Sequence, residues 1–523
     1  MSQLLKSRVL LGERALCRSF FGTKALALRY KQGKTAGFST TRKQMNPKPT
    51  RSNTAASDPS VSHIHGNLQM SFPCLEKSER KSERLVEEGP EPVYSSISDL
   101  NVEVYHSSKP MFLDFGGYLP QFNIAYETWG QLNSDRSNAV LIHTGLSASS
   151  HAHSTRKNPA KGWWEGFIGP GKYLDTSKYF VICSNVIGGC FGSTGPMSID
   201  PITKNRYATT FPVVSVNDMV RAQHRMIKEQ FGINKLYCSI GASMGGMQSL
   251  AYGAEFKDEV EKIISISGCA KSHPYSVAMR FCQRQVLMND PLWKKGNYYN
   301  SIPPHTGMKL SREIATITYR SGPEWEKRFG VERADSSTTP ALCPDLLIET
   351  YLDHAGEKWC LDFDANSFLY ISKAMDMFDL GRKSTQKSLE SRSQAQRKYG
   401  GENIALSDMV YKPSEICKYD QPIKENRRSR RFTPDEAKED LIQGMAPLAG
   451  KDTLIIGVES DILFPAWQQQ EIVDLLREAC RRKGLPTDNI RHVELSQQQS
   501  YYGHDTFLLT LNHIGNPVKA FLG

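Results

Sequence analysis

Short, fully apolar runs recur along this chain, separated by segments of helical periodicity. They are Ala139-Val-Leu-Ile142, Tyr179-Phe-Val-Ile182, Leu236 to Ile240, Ile263-Ile-Ser-Ile266, Leu454-Ile-Ile456 and His492-Val-Glu-Leu495, preceded by the strand-like alternation of Phe122-Asn-Ile-Ala-Tyr-Glu-Thr128. A strand that is apolar at successive positions has both faces covered, as in a parallel sheet between layers of helices. Between the runs, Asp218 to Phe231 reads as a helix, and Met247 to Phe256 places Met247, Leu250, Ala251 and Ala254 at helical spacing for a buried face. The pattern predicts an α/β fold with a mostly parallel central sheet.

The strand pattern stops after Ser267 and resumes only at Asp452. The intervening residues include helical stretches at Met308 to Tyr319 and Leu346 to Leu352, then a polar segment from Gly381 to Arg431 that ends in Arg427-Arg-Ser-Arg-Arg431. An insertion leaving the carboxyl end of a strand is carried over the edge where α/β sheets bind ligands, so residues 271–450 are expected to form a helical lid with a polar loop near 381–431. The catalytic core is then split into 96–270 and 451–523, and no internal repeats are present.

The 523-residue chain carries a net charge of +10, and the location of that charge changes its meaning. Residues 1–43 hold ten Lys or Arg against the single acid Glu13, so nearly all of the excess belongs to the leader. That leader is Arg-rich, contains hydroxyls and intersperses Leu4, Leu5, Val9, Leu10, Leu11, Leu16, Phe20 and Phe21 with its basic residues. It reads as a mitochondrial transit peptide, which implies a matrix location. Residues 44–95, with six prolines and the charged run Glu76 to Arg84, read as a linker without fixed structure. No stretch approaches the ~20 apolar residues of a membrane span, so no membrane partner is expected. With the rest of the chain near neutral, no nucleic-acid partner is expected either, and the Arg427 to Arg431 cluster reads as a solvated loop.

Eleven cysteines are scattered from Cys17 to Cys480 without a C-x-x-C or a zinc-spaced Cys/His cluster. They read as reduced residues, mostly in the core. His151 and His153 lack a third ligand at helical spacing and read as a loop pair, so no metal site is expected.

Candidate chemistry centres on Gly241-Ala242-Ser243-Met244-Gly245-Gly246, which directly follows the Leu236 to Ile240 strand and opens the next helix. This is the G-x-S-x-G nucleophile elbow in its strand-turn-helix context, where side chains at the flanking glycines would collide with backbone. Ser243 is the expected nucleophile. A serine hydroxyl needs a base and a group to orient that base, and in this architecture they follow in the order acid, then histidine. Asp461, in the acidic turn after Leu454 to Val458, is the expected acid, preferred to Glu459 because Ile462-Leu-Phe464 follows and would bury it. His504, in Tyr501-Tyr-Gly-His504-Asp-Thr-Phe507 after the last strand, is the expected base. The backbone N–H groups of Met244 and of Leu146, in the loop His143 to His151, are the expected oxyanion donors.

The segments G-A-S-M-G-G-M at 241–247, S-D at 460–461, G-H-D at 503–505 and G-M-K-L-S-R-E-I-A-T-I-T-Y-R at 307–320 resemble the homoserine O-acetyltransferase (MetX-type) family of α/β-hydrolase-fold, CoA-dependent acyltransferases. Further similarity in Leu146 to His151, G-W-W-E at 162–165, G-P-G-K at 169–172, G-S-T-G-P at 192–196 and A-M-D-M-F-D-L at 374–380 points to the serine O-succinyltransferase branch, which includes fungal mitochondrial enzymes described as serine O-acetyltransferases. The resemblance implies that Arg312 and Asp505 bind the amino-acid acceptor and that Arg280 selects the acyl group. A second guanidinium suits a succinyl carboxylate, whereas an acetyl group would leave it unpaired. The implied activity is ping-pong acyl transfer from succinyl-CoA or acetyl-CoA to L-serine in cysteine biosynthesis, through an acyl-Ser243 enzyme, with no permanently bound cofactor and a homodimeric assembly. The alternative is homoserine O-acetylation in methionine biosynthesis.

Overall fold

The computed structural model describes residues 101–360, 362–401 and 432–523, together with Lys77 and Arg80. The chain forms two units, and the one comprising 72–340 and 344–523 carries every element below. Its centre is an eight-stranded sheet of β1 (Glu103–Ser107), β2 (Phe122–Trp129), β3 (Ala139–His143), β4 (Phe180–Ser184), β5 (Leu236–Ala242), β6 (Val260–Ile266), β7 (Asp452–Val458) and β8 (Ile490–Leu495), in the spatial order β1-β2-β4-β3-β5-β6-β7-β8. The β1–β2 and β2–β4 pairs are antiparallel, and every pair from β4 to β8 is parallel.

Alternate strand residues feed two cores, as a pleated sheet covered on both faces requires. Leu141, Ile182, Ile263 and Ile455 pack with α1 (Val216–Phe231) and α2 (Met244–Glu255). Val140, Ile142, Val181, Ile240, Ile264 and Ile456 face the other way, onto Trp164, Phe167 and the C-terminal residues Ile514, Val518 and Phe521. Local signals end the elements where they should. Ser215 caps α1 by accepting from the Asp218 N–H at 2.9 Å while the Asp218 carboxylate accepts from the Ser215 N–H at 2.8 Å, and Gly232 closes the helix at φ 62°.

The sheet breaks between Ile266 and Asp452, as the sequence pattern predicts. The insertion contains α3 (Pro274–Met288), α4 (His305–Tyr319), α5 (Gly322–Arg328), α6 (Leu347–Trp359), α7 (Ala365–Asp376), α8 (Arg382–Tyr399) and α9 (Pro434–Met445). The chain then returns through β7, α10 (Ala466–Arg482) and β8. Its helices contact the loops that follow β7 and β8: Ser276 Oγ donates to Leu463 O at 2.9 Å, and Ser321 Oγ donates to Tyr501 O.

The expected polar loop near 381–431 needs correction, because Arg382–Tyr399 is an 18-residue helix. Only Ala395 and Tyr399 in it are buried, so no apolar stripe marks it in the sequence. Tertiary anchors hold it instead. Tyr399 stacks on Tyr118 at 4.5 Å between centroids, Arg392 Nη1 lies 2.5 Å from Asp114 Oδ1, and Asp440 Oδ1 accepts from the Lys383 N–H at 3.0 Å. The remainder of that segment, with the Arg427 to Arg431 cluster, lies outside the described residues, as does the leader 1–43. Of the expected unstructured linker 44–95 only Lys77 and Arg80 are described; both are helical, and Lys77 Nζ sits 3.2 Å from Glu357 Oε1. Among the described residues no helix is long and apolar enough to cross a membrane.

Candidate active site

β5 ends at Ala242 and α2 begins at Met244, leaving Ser243 alone in the turn at φ 59°, ψ −125°. That conformation is strained for a residue with a Cβ, and neighbouring backbone holds it. The Ser243 N–H donates to Ile266 O on β6 at 2.9 Å. A Cβ on Gly241 would lie 2.2 Å from Gly245 O, and one on Gly245 would lie 2.3 Å from His143 O. Both glycines are therefore required by the approach of the helix to β5 and to the end of β3. Ser243 itself is only 8% exposed.

β7 delivers Asp461 three residues beyond its end, and the loop after β8 delivers His504. Asp461 Oδ2 lies 2.6 Å from His504 Nδ1, while Asp461 Oδ1 accepts the N–H groups of Leu463 at 2.9 Å and Phe464 at 2.8 Å. The imidazole stacks on Phe464 at 5.1 Å and meets the edge of Phe507 at 5.7 Å. With Nδ1 engaged, Nε2 is the free basic position; it is buried and has no hydrogen-bond partner among the described residues. The structure thus brings Asp461 and His504 into direct contact and sets Ser243 on a nearby strand end without a hydrogen bond from Ser243 to Nε2. Glu459 is exposed and caps Gln497, accepting its N–H at 2.8 Å, which leaves Asp461 as the carboxylate at the histidine.

Burial disfavours the His504 imidazolium, yet the Asp461 charge and hydrogen bond, reinforced by Asp505, hold its pKa above the ordinary histidine value of 6.5; Arg280 pulls in the opposite direction. A histidine acts as a base only when neutral. The rate of any step in which His504 serves as the base is therefore expected to rise with pH through a midpoint above 6.5. Asp505→Asn removes one raising charge and should move that midpoint down; a midpoint that stays put or rises would contradict this electrostatic assignment.

Leu146 lies three residues beyond β3, whose His143 pairs with Gly241 of β5, so this loop runs beside the elbow. Gln248 of α2 donates to Thr144 O at 2.9 Å and to Met244 O at 3.4 Å, tying the loop to the helix. Gln248 in turn accepts from Gln223, which meets the buried His143 at 2.9 Å. Met244 is the first residue of α2, where backbone N–H groups have no carbonyl four residues back and point outward with the positive end of the helix.

Two arginines bear on this pair and its neighbour, Arg280 on His504 and Arg312 on Asp505. Arg280 on α3 is 3% exposed; its Nε donates to Asp376 Oδ1 at 2.6 Å, and its Nη1 and Nη2 are buried without a partner among the described residues. Arg312 on α4 lies over the rings of Tyr319 at 5.0 Å and Trp359 at 5.2 Å, a cation–π cradle that leaves its guanidinium edge available. Asp505 is raised above the usual carboxylate range by burial, which outweighs the lowering by Arg320, His504 and Arg312. Its ion-pair partner is Arg320, at 3.3 Å, rather than Arg312. Arg320 also holds Glu324 at 2.8 Å. The sequence reading missed Arg320, Asp376 and Arg284, although the first closes the same 307–320 motif that contains Arg312.

A mostly parallel eight-stranded sheet, a serine held at positive φ in a glycine-flanked turn, and an Asp–His pair on later strand ends define the α/β-hydrolase fold, whose family model matches residues 138–483. The chain is 52% identical over 518 residues to the serine O-succinyltransferase of Emericella nidulans, covering 97% of this chain and 98% of that protein. It is 48% identical over 487 residues to the serine O-succinyltransferase of Schizosaccharomyces pombe, covering 87% and 95%. Among solved structures, homoserine O-acetyltransferase from Bacillus anthracis superposes with a TM-score of 0.61 at 24% identity over 81% of this chain and 98% of that one, a likeness of fold. The chain belongs to the α/β-hydrolase-fold acyltransferases, in the serine O-succinyltransferase family.

Proposed function

We propose that this protein transfers a succinyl group from succinyl-CoA to the hydroxyl of L-serine by a ping-pong route through Ser243. The observation that carries the choice of donor is Arg280, whose Nη1 and Nη2 are buried and have no partner among the described residues while its charge acts on His504. A buried, unpaired guanidinium edge is unfavourable until an anion meets it, and the terminal carboxylate of a succinyl group supplies one.

In the first half-reaction His504 Nε2 takes the proton from Ser243 Oγ as Oγ attacks the thioester carbonyl. The N–H groups of Met244 and Leu146 stabilise the oxyanion. The C–S bond breaks, and His504 returns the proton to the departing CoA thiolate. In the second, the acceptor hydroxyl gives its proton to His504 and attacks the acyl carbonyl, and the bond to Ser243 Oγ breaks with that proton returned. Arg312 is assigned to the acceptor carboxylate and Asp505 to its ammonium. Kinetics with L-serine and L-homoserine against succinyl-CoA and acetyl-CoA test the reading. The serine and succinyl-CoA pair should give the highest kcat/KM, and preference for homoserine with acetyl-CoA would overturn it.

Arg280→Met should lower the kcat/KM for succinyl-CoA by about 10- to 100-fold, the worth of a charge-assisted hydrogen bond, with a smaller loss for acetyl-CoA. Equal losses for both donors would remove Arg280 from donor selection.

The O-acylserine product is assigned to cysteine biosynthesis from the family resemblance, and the enzyme to the mitochondrial matrix on the strength of the basic, acid-poor leader. A matrix-recovered protein should begin beyond that leader, which N-terminal sequencing checks; recovery of intact Met1 from the matrix would contradict cleavage. We further assign a homodimer. Phe281 and Met288 on α3, and Leu310 and Ile317 on α4, form seven-residue-spaced pairs that are 39–45% exposed on neighbouring helices. Phe281→Glu with Ile317→Glu should convert a dimer to a monomer in light scattering; a monomeric parent would sink the assignment.

A further inference from the structure

Arg280 and Arg284 lie four residues apart on α3, so both guanidiniums leave the same face of one helix. Two like charges there repel, and one carboxylate stands between them. Asp376, the last residue of α7, accepts from Arg280 Nε at Oδ1, 2.6 Å away, and from Arg284 Nη2 at Oδ2. Arg284 Nη1 reaches Ser372 Oγ, one turn back on α7, at 3.3 Å. The side chains of Arg280, Arg284 and Asp376 are 4%, 9% and 2% exposed. The cluster therefore buries two positive charges against one negative charge.

The division of the Asp376 oxygens matters. An arginine and a carboxylate left to themselves close into a parallel two-bond fork, which here would engage Nε and one Nη of Arg280 with both oxygens. Arg284 Nη2 sits on the second oxygen and draws it away, the fork is half open, and both Nη groups of Arg280 are without a partner among the described residues.

We propose that Arg284 is a positioning residue for donor selection: by holding Oδ2 of Asp376 it prevents that carboxylate from closing on Arg280, and so keeps the Arg280 Nη edge open for the terminal carboxylate of the acyl donor. The proposal rests on the succinyl-CoA reading above. It also explains why the subsite takes an anion, since the incoming carboxylate brings the buried cluster to neutrality.

The test is a double-mutant cycle in the full-length enzyme with Arg284→Gln, Arg280→Met and the two combined, assayed with L-serine against succinyl-CoA and acetyl-CoA. Arg284→Gln frees Oδ2 and lets Arg280 close on Asp376. The ratio of kcat/KM for succinyl-CoA to that for acetyl-CoA should then fall by about tenfold or more, mainly through the KM for succinyl-CoA. In the Arg280→Met background the same substitution should leave the ratio unchanged, because the group it acts through is gone. Arg284→Lys, which keeps a cation on Oδ2, should restore most of the selectivity. Arg284→Met offers the same removal of charge if the glutamine variant does not fold. A parallel loss for both donors, or a fall in the ratio that persists without Arg280, would overturn the positioning role while leaving the succinyl-CoA reading intact. A parent enzyme that does not prefer succinyl-CoA would remove that reading and this inference together.

Discussion

Ser243→Ala is expected to abolish acyl transfer, lowering kcat by about 10⁴- to 10⁶-fold, in line with removal of the nucleophile from serine enzymes that act through a base and an oxyanion site. The fold makes this position hard to replace. Ser243 sits at φ 59° with its N–H bound to Ile266 O, and the glycines at 241 and 245 leave no room for the turn to shift a neighbouring hydroxyl into place. Alanine removes only the hydroxyl at that strained turn, so the thermal unfolding midpoint should stay close to that of the parent. Release of CoA from succinyl-CoA in the absence of acceptor should vanish as well, because the first half-reaction itself is lost. Residual transfer within tenfold of the parent would place the nucleophile elsewhere.

Asp461→Asn is expected to reduce kcat by about 10⁴-fold, the effect known for the equivalent change in a serine protease triad. Its cause here is visible in the hydrogen bonding. Asp461 Oδ1 already accepts from Leu463 and Phe464, and these donors fix which oxygen faces the histidine. An asparagine would have to keep its carbonyl toward those two N–H groups and so present its amide nitrogen to His504 Nδ1. An amide N–H facing Nδ1 forces that atom to accept, which puts the proton on Nε2 and removes the base from the only free ring position. The loss should appear in kcat for both donors and both acceptors alike, since tautomer and specificity are separate. A variant that retained most of the activity, or lost it only with one donor, would contradict the role of Asp461 as the orienting carboxylate.

Much of this was readable from the chain because the informative features are local. Parallel strands buried on both faces write themselves as apolar runs, and the nucleophile turn demands glycine at fixed offsets, so Ser243 and the strands that carry Asp461 and His504 stand out without any knowledge of contacts. The break after Ser267 likewise marks the insertion. What escaped is non-local. Arg382–Tyr399 has too few buried apolar residues to show helical periodicity, and its anchors at Tyr118, Asp114 and Asp440 come from distant parts of the chain. Arg320 as partner of Asp505, and Asp376 shared between Arg280 and Arg284, join residues about 90 to 190 positions apart. No spacing rule along the sequence picks such a pair from the other arginines and aspartates of the insertion. For the same reason the resemblance implies acceptor roles for Arg312 and Asp505 without revealing that Asp505 forms its ion pair with Arg320.

The arrangement also separates two duties that a motif search merges. The turn at Ser243 and the Asp461–His504 pair are assigned the acyl-transfer chemistry, which an esterase could share. In the proposed reading, discrimination belongs to the inserted helices: Arg280, set by Asp376 and Arg284, is assigned to the donor, and Arg312 with Asp505, which pairs with Arg320, to the acceptor. Substitutions in the first group should change rates for every substrate pair, and substitutions in the second should change ratios.

The most direct measurement of the whole account is mass spectrometry of the intact enzyme and its peptides after mixing with succinyl-CoA alone, followed by addition of L-serine. The account predicts an adduct of one succinyl group on the peptide containing Ser243, formed as CoA is released and discharged by L-serine with appearance of O-succinylserine. Release of CoA without any adduct on Ser243, or an adduct that L-serine does not discharge, would contradict it.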